Sequence, residues 1–152
     1  ADNLRYSRKD ATEAELMHAA DVAQAGDFIR SLPDGLNSHV AQGGTNFSGG
    51  QKQRLSIARA LVKKPELYIF DDSFSALDFK TDAALRHALA AETKDAAVLI
   101  IAQRVSSIRH ADQIVVLHEG RMAGIGTHEE LLATCKVYQE IYESQTKEAQ
   151  EA

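Results

Sequence analysis

A Gly-rich turn that leads into a helix is the first feature of this sequence that could do chemistry. Residues 46–54 read NFSGGQKQR, and apolar residues then recur at helical spacing up to Val62. Glycine lets a backbone approach a phosphate closely, and the free N–H groups at a helix N-terminus attract anions. The pattern predicts an anion site at the start of this helix, although a flexible Gly-rich loop would also explain it.

A Walker A loop is the obvious interpretation of this turn, and the sequence excludes it. Gly44 and Gly49 have the right separation, but Gly50 and Gln51 stand where Lys and Ser or Thr are required. The 152 residues therefore hold no P-loop.

Two carboxylates follow a short apolar run in the segment LYIFDDSFSALD, residues 67–78. At the carboxyl end of a buried parallel strand, Asp71 is placed to hold a magnesium ion, usually through water, and Asp72 beside it could orient water. An apolar run followed by two aspartates is common, so alone it would also fit a solvated strand end. The combination with the Gly-rich turn is far more specific.

The elements that position these residues alternate between helix and strand. Helices are predicted over 10–26, 27–32, 51–62, 80–91 and 105–110, and buried or paired strands over 67–70, 97–102, 113–117 and 121–125. A capping box at Thr12 begins the first helix, and one at Thr127 begins a last helix that carries Tyr138 and Tyr142. Residues 118–120 predict a hairpin turn. The alternation predicts an α/β domain.

Composition narrows the classes of function. With 17 Lys and Arg against 22 Asp and Glu, the net charge is -5 and no basic run is present, which disfavours nucleic-acid binding. The single cysteine excludes an intrachain disulfide and a Cys-based zinc site. The longest apolar run, 96–102, is too short to cross a bilayer. We expect a soluble, cytosolic chain and, because it begins at Ala1 without Met, a segment of a longer protein.

Together these motifs resemble the ATP-binding cassette of exporter-type ABC transporters, from about Asn3 to Gln145. Five segments carry the resemblance. FSGGQ at 47–51 resembles the signature motif, LYIFD at 67–71 the Walker B strand and SALD at 75–78 the D-loop. VLIIAQR at 98–104 resembles the switch segment, and residues 113–131 resemble the closing strands and helix. The resemblance implies a partial P-loop NTPase core of the RecA-like type with parallel strands. Residues 1–64 would be the helical signature subdomain and residues 65–152 the C-terminal half of the ATPase core.

The resemblance also implies cofactors and partners, namely ATP, Mg²⁺, the transmembrane domain of the same transporter and a second cassette in a head-to-tail dimer. The implied roles are contact with the partner's ATP for Ser48, Gly49, Gly50 and Gln51, magnesium binding for Asp71, D-loop contacts for Ser75 and Asp78, and a coupling loop at Gln42. Such a cassette lies on the cytoplasmic side of the cell membrane. In intact members of the family it couples ATP binding and hydrolysis to transport.

Two positions of the hydrolytic site depart from the family pattern. Asp72 stands where a catalytic Glu is usual, and the loss of one methylene withdraws the carboxylate from its water. Gln103 replaces the switch histidine, and an amide can contact the γ-phosphate but cannot exchange protons. We therefore expect the degenerate-site half of a heterodimeric exporter, whose intact signature serves a competent partner. Neutral drift at both positions is the alternative.

Two other interpretations stay open. One is a soluble ABC ATPase of the DNA-repair or translation type, although those lack the THEELL-like segment at 127–132 and often insert coiled coils. The other is a non-enzymatic remnant that only completes a partner's ATP site. Because the family's Walker A loop lies upstream of Ala1, we expect these residues alone not to hydrolyse ATP. We also expect an open strand edge beside 97–101, where related folds carry the Walker A strand.

Overall fold

The structure is a computed structural model that describes the backbone of residues 1–151 and the side chains of residues 1–147. The chain forms two compact units, Ala1–Ile101 and Ala102–Ala152. Helices and strands alternate along the chain, and two strands pair in parallel. The α/β class predicted from the sequence is therefore confirmed.

The first unit contains five α-helices and a two-stranded parallel sheet. Its elements are α1 (Asp2–Arg5), α2 (Glu13–Val22), α3 (Gly26–Ser31), α4 (Gly49–Lys63), β1 (Leu67–Asp71), α5 (Phe79–Glu92) and β2 (Ala97–Ile101), with 3-10 turns at Gly35–Asn37 and Gln42–Gly44. In the register of the sheet, Leu67 lies opposite Ala97 and Asp71 opposite Ile101. The two aspartates of the sequence pattern thus follow at the carboxyl end of β1, as predicted.

The helix α4 forms the centre of this unit because one of its faces is fully apolar. The buried residues on that face are Ile57, Ala58, Leu61 and Val62. They share one core with Tyr68 and Phe70 of β1 and with Leu85 and Leu89 of α5. Burial of each large aliphatic side chain contributes about 2 kcal/mol to stability, so this face fixes where α4 lies against β1. The helix ends at Lys63 because Lys64 is left-handed (φ 49°) and Pro65 follows.

The prediction that both parallel strands are buried is wrong for one face of the sheet and also for Val98 of β2, which lies on the other face and is 40% exposed. On β1, Tyr68 and Phe70 point into the core, whereas Ile69 is 60% exposed. On β2, Leu99 is 50% and Ile101 47% exposed. The physical reason is that helices cover only one face of this sheet within its unit. In the described part of the chain β2 pairs with β1 alone, which leaves the open edge that was expected.

The second unit contains an antiparallel hairpin and two helices. Its elements are a 3-10 turn at Val105–Ser107, β3 (Ile114–His118), β4 (Arg121–Gly126), α6 (His128–Thr134) and α7 (Lys136–Glu151). The predicted hairpin turn is confirmed, since Glu119 (φ 49°) and Gly120 (φ 73°) both have the positive φ that a two-residue turn needs. The predicted helix over 105–110 is only the short 3-10 turn.

The predicted last helix is two helices, because the chain is extended at Cys135 (φ -110°, ψ 102°). Cys135 is itself buried in the core of this unit, together with Leu131 and Tyr138. The turn between α6 and α7 thus places both helices against the hairpin strands.

The helix starts follow local side-chain chemistry. The capping boxes predicted at Thr12 with Glu15 and at Thr127 with Glu130 are confirmed, with both reciprocal hydrogen bonds present in each. Each box satisfies backbone N–H groups that the first helical turn leaves without a partner. Within residues 1–151, no helix combines the length and the apolar character needed to cross a bilayer.

The capping box of α2 generates a prediction about pH. The pKa of Glu15 is lowered to about 2 because the backbone N–H of Thr12 donates to its carboxylate, assisted by the Arg8 guanidinium and the Thr12 hydroxyl. The carboxylate therefore stabilises the fold fully above the unfolded value of about 4.5, and this contribution is lost as the pH falls through about 2. We expect an NMR titration of the Glu15 carboxyl carbon to give this value.

The substitution Arg8→Met should raise the Glu15 pKa only part of the way to 4.5, because the Thr12 amide, its main donor, is retained. The control Lys9→Met removes a neighbouring charge and leaves every hydrogen bond to Glu15 in place. A complete return to 4.5 in Arg8→Met would show that the guanidinium, and not the capping box, holds the carboxylate ionised.

Candidate functional site

The predicted signature loop is the first turn of α4. Ser48 caps the helix: its hydroxyl accepts from the Gln51 N–H at 3.2 Å, while the Gln51 side-chain oxygen accepts from the Ser48 N–H at 2.9 Å. This is a third capping box, of the form Ser-x-x-Gln, which the sequence carries but which the sequence analysis did not use. In the described part of the chain the N–H groups of Gly49 and Gly50 make no hydrogen bond, as expected in a first helical turn.

The signature loop lies directly against the D-loop segment. A side chain at Gly50 would place its Cβ 3.0 Å from the carbonyl oxygen of Ala76, whereas a Cβ at Gly49 would meet only the Ala76 methyl at 3.7 Å. A cavity of about 410 Å³ opens between the two segments. Its lining residues are Ser48, Gly49, Gly50, Arg54, Ala76, Leu77, Asp78 and Thr81. The structure thus brings together the signature residues and Asp78.

Arg54 supplies the positive charge at this cavity. Its guanidinium donates to the Gln24 carbonyl at 2.6 Å and to the Gly50 carbonyl at 3.3 Å, and it lies 5.2 Å from the centre of the Phe28 ring. These contacts hold the charge beside the first turn of α4, where the helix dipole is also positive. The guanidinium and the helix dipole favour an anion beside the first turn of α4, whereas the Asp78 carboxylate that also lines the cavity opposes one. Arg54 is the last residue of the segment NFSGGQKQR, but its spacing in the sequence predicts no role for it.

The two aspartates after β1 differ in their environments. Asp71 is exposed, and its carboxylate makes no hydrogen bond or ion pair within the described residues. Asp72 is left-handed (φ 48°), its N–H donates to the Ile101 carbonyl, and its carboxylate accepts from the Ser75 hydroxyl at 3.0 Å. Oxygen ligands suit magnesium, so the uncommitted Asp71 fits the predicted metal role. The Asp72 carboxylate, in contrast, is drawn back into its own loop.

Asp78 begins α5 as its N-cap. Its carboxylate accepts from the Thr81 N–H at 2.9 Å and from the Thr81 hydroxyl at 2.7 Å. These two bonds, the backbone one first, lower the pKa of Asp78 below its ordinary value. The carboxylate therefore stays ionised at the rim of the cavity, where it also sets the start of the helix. Asp78 therefore has a structural role of its own as the N-cap of α5.

Gln53 connects α4 to the loop after β1, and the sequence analysis missed it. Its side-chain N–H groups donate to the Asp72 carbonyl at 3.1 Å and to the Ser75 hydroxyl at 3.0 Å, and its side-chain oxygen accepts from the Ala76 N–H at 2.9 Å. One amide thus makes three hydrogen bonds to the segment between the Walker B-like strand and the D-loop. No local signal in the sequence identifies such a contact.

The predicted switch position, Gln103, belongs to the second unit. It is exposed, and its backbone carbonyl accepts from the Gln145 side chain at 2.7 Å. The same Gln145 amide accepts from the Val105 N–H at 2.8 Å. Gln145 on α7 therefore brackets the backbone of the switch segment, and the sequence analysis missed this residue as well.

The predicted coupling residue Gln42 is not among the residues that line the cavity. It is exposed on the 3-10 turn Gln42–Gly44, in which Gly43 and Gly44 have positive φ values of 68° and 63°. The Asn46 side chain holds the ends of this loop, because it donates to the His39 carbonyl at 3.0 Å and accepts from the Ala41 N–H at 3.1 Å. The loop is thus an ordered, solvent-facing projection of the first unit.

Comparison with known proteins agrees with the motifs. Residues 3–75 match the family described as ABC transporter. The chain is 48% identical over 152 residues to an uncharacterized ABC transporter ATP-binding protein of Mycobacterium bovis, and 46% identical over 151 residues to the mitochondrial potassium channel ATP-binding subunit of Xenopus tropicalis. These alignments cover 98% and 99% of this chain, but 26% and 22% of the relatives.

A solved structure gives the same result in three dimensions. A bacterial Atm1-family ABC exporter with ATP bound superimposes with a TM-score of 0.89 at 39% identity, over 94% of this chain and 25% of that chain. The chain is thus related to the ATP-binding cassettes of ABC transporters and has part of their P-loop NTPase fold, which confirms the resemblance drawn from the motifs. It spans about a quarter of the length of these relatives.

The two glycines of the signature loop give a matched pair of substitutions. Gly49→Ala should stabilise the fold by roughly 0.5 kcal/mol, because the new methyl group has room and alanine restricts the unfolded chain. Gly50→Ala should destabilise it by about 1 kcal/mol, because its methyl group presses on the Ala76 carbonyl. Urea denaturation of both variants checks the difference. Equal midpoints would show that α4 does not approach the D-loop as closely as described.

The Gln145 bracket predicts a local change in hydrogen exchange. Gln145→Leu should accelerate exchange of the Val105 amide by about fivefold, which corresponds to the loss of a hydrogen bond worth about 1 kcal/mol. Gln139→Leu is the control on the same helix, because the Gln139 side chain donates to the Leu132 carbonyl and not to the switch segment. An unchanged Val105 rate in Gln145→Leu would contradict the bracket.

Proposed function

We propose that this chain is part of the nucleotide-binding domain of an ABC exporter, which couples ATP binding and hydrolysis to transport across a membrane. The observation that carries the proposal is the cavity shared by the signature loop and the D-loop, with Arg54 at its side. The relatives named above are ATP-binding proteins, and the superimposed structure is an exporter with ATP bound. In this proposal residues 1–64 form the helical signature subdomain and residues 65–152 half of the ATPase core.

The proposed role of the signature loop is to complete an ATP site on a second cassette. Gly49 and Gly50 present free N–H groups at the positive end of α4, and Ser48 and Gln51 hold that end in shape. The free N–H groups and the positive helix end suit a phosphate group of a nucleotide that is bound to another chain. The partner is thus a cassette bound head to tail, with Asp78 at the interface and Gln42 directed at the transmembrane domain.

The carboxyl end of β1 offers a residue that fits magnesium, and with it Mg-ATP. Asp71 offers an exposed carboxylate without a partner in the described residues, at the carboxyl end of β1. When bound, the metal neutralises charge on the transferred phosphoryl group. Asp71 would hold it, and the P-loop of the complete site would come from a segment outside these 152 residues. We accordingly propose that the chain alone does not hydrolyse ATP.

The chain's own site is proposed to be slow. Ser75 donates to the Asp72 carboxylate, which keeps that carboxylate in its own loop, and Asp72 is already one methylene shorter than Glu. The Gln103 side chain can donate a hydrogen bond to a γ-phosphate, but the amide itself cannot take up or release a proton. These features support the assignment of the chain to the degenerate half of a heterodimeric exporter, with the competent site on its partner.

The test uses the complete protein with its partner cassette. Ser48→Arg should lower steady-state ATP turnover by about tenfold or more, because it removes the cap and fills the nucleotide-facing turn with a long side chain. Ser48→Thr is the matched control, because threonine also caps a helix and leaves the turn open. Turnover that stays at the wild-type level in Ser48→Arg would contradict the role of the signature loop.

A further inference from the structure

The amide of Gln53 forms a continuous polar connection between the signature helix and Asp72. It donates to the Asp72 carbonyl and to the Ser75 hydroxyl. The Ser75 hydroxyl in turn donates to the Asp72 carboxylate at 3.0 Å. The same amide accepts from the Ala76 N–H at 2.9 Å.

The loop around Gln53 has two different kinds of attachment. Phe74 and Leu77 are buried, and they anchor the loop in the core through their side chains. Asp72, Ser75 and Ala76 are exposed, so their polar groups would otherwise bond to water. Backbone bonds also hold the two ends of the loop, because the Asp72 N–H donates to the Ile101 carbonyl and the Leu77 N–H donates to the Phe74 carbonyl. Between these ends, the Gln53 amide bonds to the Asp72 carbonyl, the Ser75 hydroxyl and the Ala76 N–H.

We propose that Gln53 is a positioning residue that fixes the Asp72–Ala76 loop to the signature helix, so that the signature loop and the Asp72 carboxylate move as one body. This inference rests on the proposed function. Under that function the signature loop serves one ATP site and Asp72 the other. A single amide therefore sets the geometry of residues that serve both sites, although it touches neither nucleotide.

Substitutions can distinguish the donor role of the Gln53 side-chain N–H groups from the acceptor role of its side-chain oxygen. Gln53→Leu has a similar size and removes all three hydrogen bonds. Gln53→Glu keeps an oxygen that can accept from the Ala76 N–H, but it has no N–H to donate to the Asp72 carbonyl. Ser56→Ala is the control, because Ser56 is exposed on the same helix and is not the partner in any of the three hydrogen bonds that Gln53 makes to the loop.

The first measurement is hydrogen exchange in the complete protein. In Gln53→Leu the Ala76 amide should exchange about fivefold faster, as expected for the loss of one hydrogen bond. Its rate should stay near the wild-type value in Gln53→Glu and in Ser56→Ala. The Thr81 amide is the internal reference, because its acceptor is Asp78 and not Gln53. An unchanged Ala76 rate in Gln53→Leu would overturn the proposal.

The second measurement is ATP turnover of the complete protein with its partner. Gln53→Leu and Gln53→Glu should both lower kcat by about fivefold or more, with KM for Mg-ATP unchanged, because the residue orients the loop without touching nucleotide. Loss of Ala76 protection without any change in kcat would overturn the positioning role and leave the proposed function intact. Absence of turnover in the wild-type protein would instead refute the proposed function, and the catalytic part of this inference with it.

Discussion

The burial of one face of α4 is the constraint on which the rest of the first unit depends. Ile57, Ala58, Leu61 and Val62 are almost completely buried, and they share a core with the aromatic residues of β1. Because a helix is stiff, fixing its middle also fixes its first turn. The signature loop is therefore positioned by apolar packing two to three turns away. The close approach of Gly50 to the Ala76 carbonyl is possible only because that packing determines the helix position.

Side-chain amides complete what apolar packing cannot specify. Asn46, Gln53 and Gln145 each combine a donor and an acceptor in one planar group, and each bonds to the backbone of a loop. Such an amide bonds to the backbone N–H and C=O groups of the loop, as a neighbouring strand would. Its burial costs less desolvation free energy than the burial of a charged group. The three loops concerned are the ones compared in sequence with the coupling loop, the D-loop and the switch segment. Ordered loops at such positions present their functional groups with little conformational freedom to lose on binding.

Local chemistry explains what could be predicted from the sequence. The capping boxes, the two-residue hairpin turn and the strand before Asp71 depend on neighbours within four residues, so their signals are contained in short segments. The contacts of Gln53 and Gln145 join residues about 20 and 40 positions apart, and no periodicity encodes them. The burial of β2 was wrongly predicted for a related reason. An apolar run indicates that a strand can be covered, but the run does not contain the element that covers it.

Asp72 shows how backbone conformation and chemistry constrain each other at one position. Its left-handed backbone is a region that Asp and Asn enter more readily than longer side chains, because a short polar group can bond to its own loop. The bond from Ser75 is of that kind. A longer carboxylate would reach further into solvent but would gain less from this local contact. Under the proposed function, the residue that suits the loop is thus the one whose shorter side chain reaches less far towards the attacking water. The same chain keeps a signature loop whose cap, glycines and Arg54 are all in place. The combination favours a subunit that contributes more to its partner's ATP site than to its own.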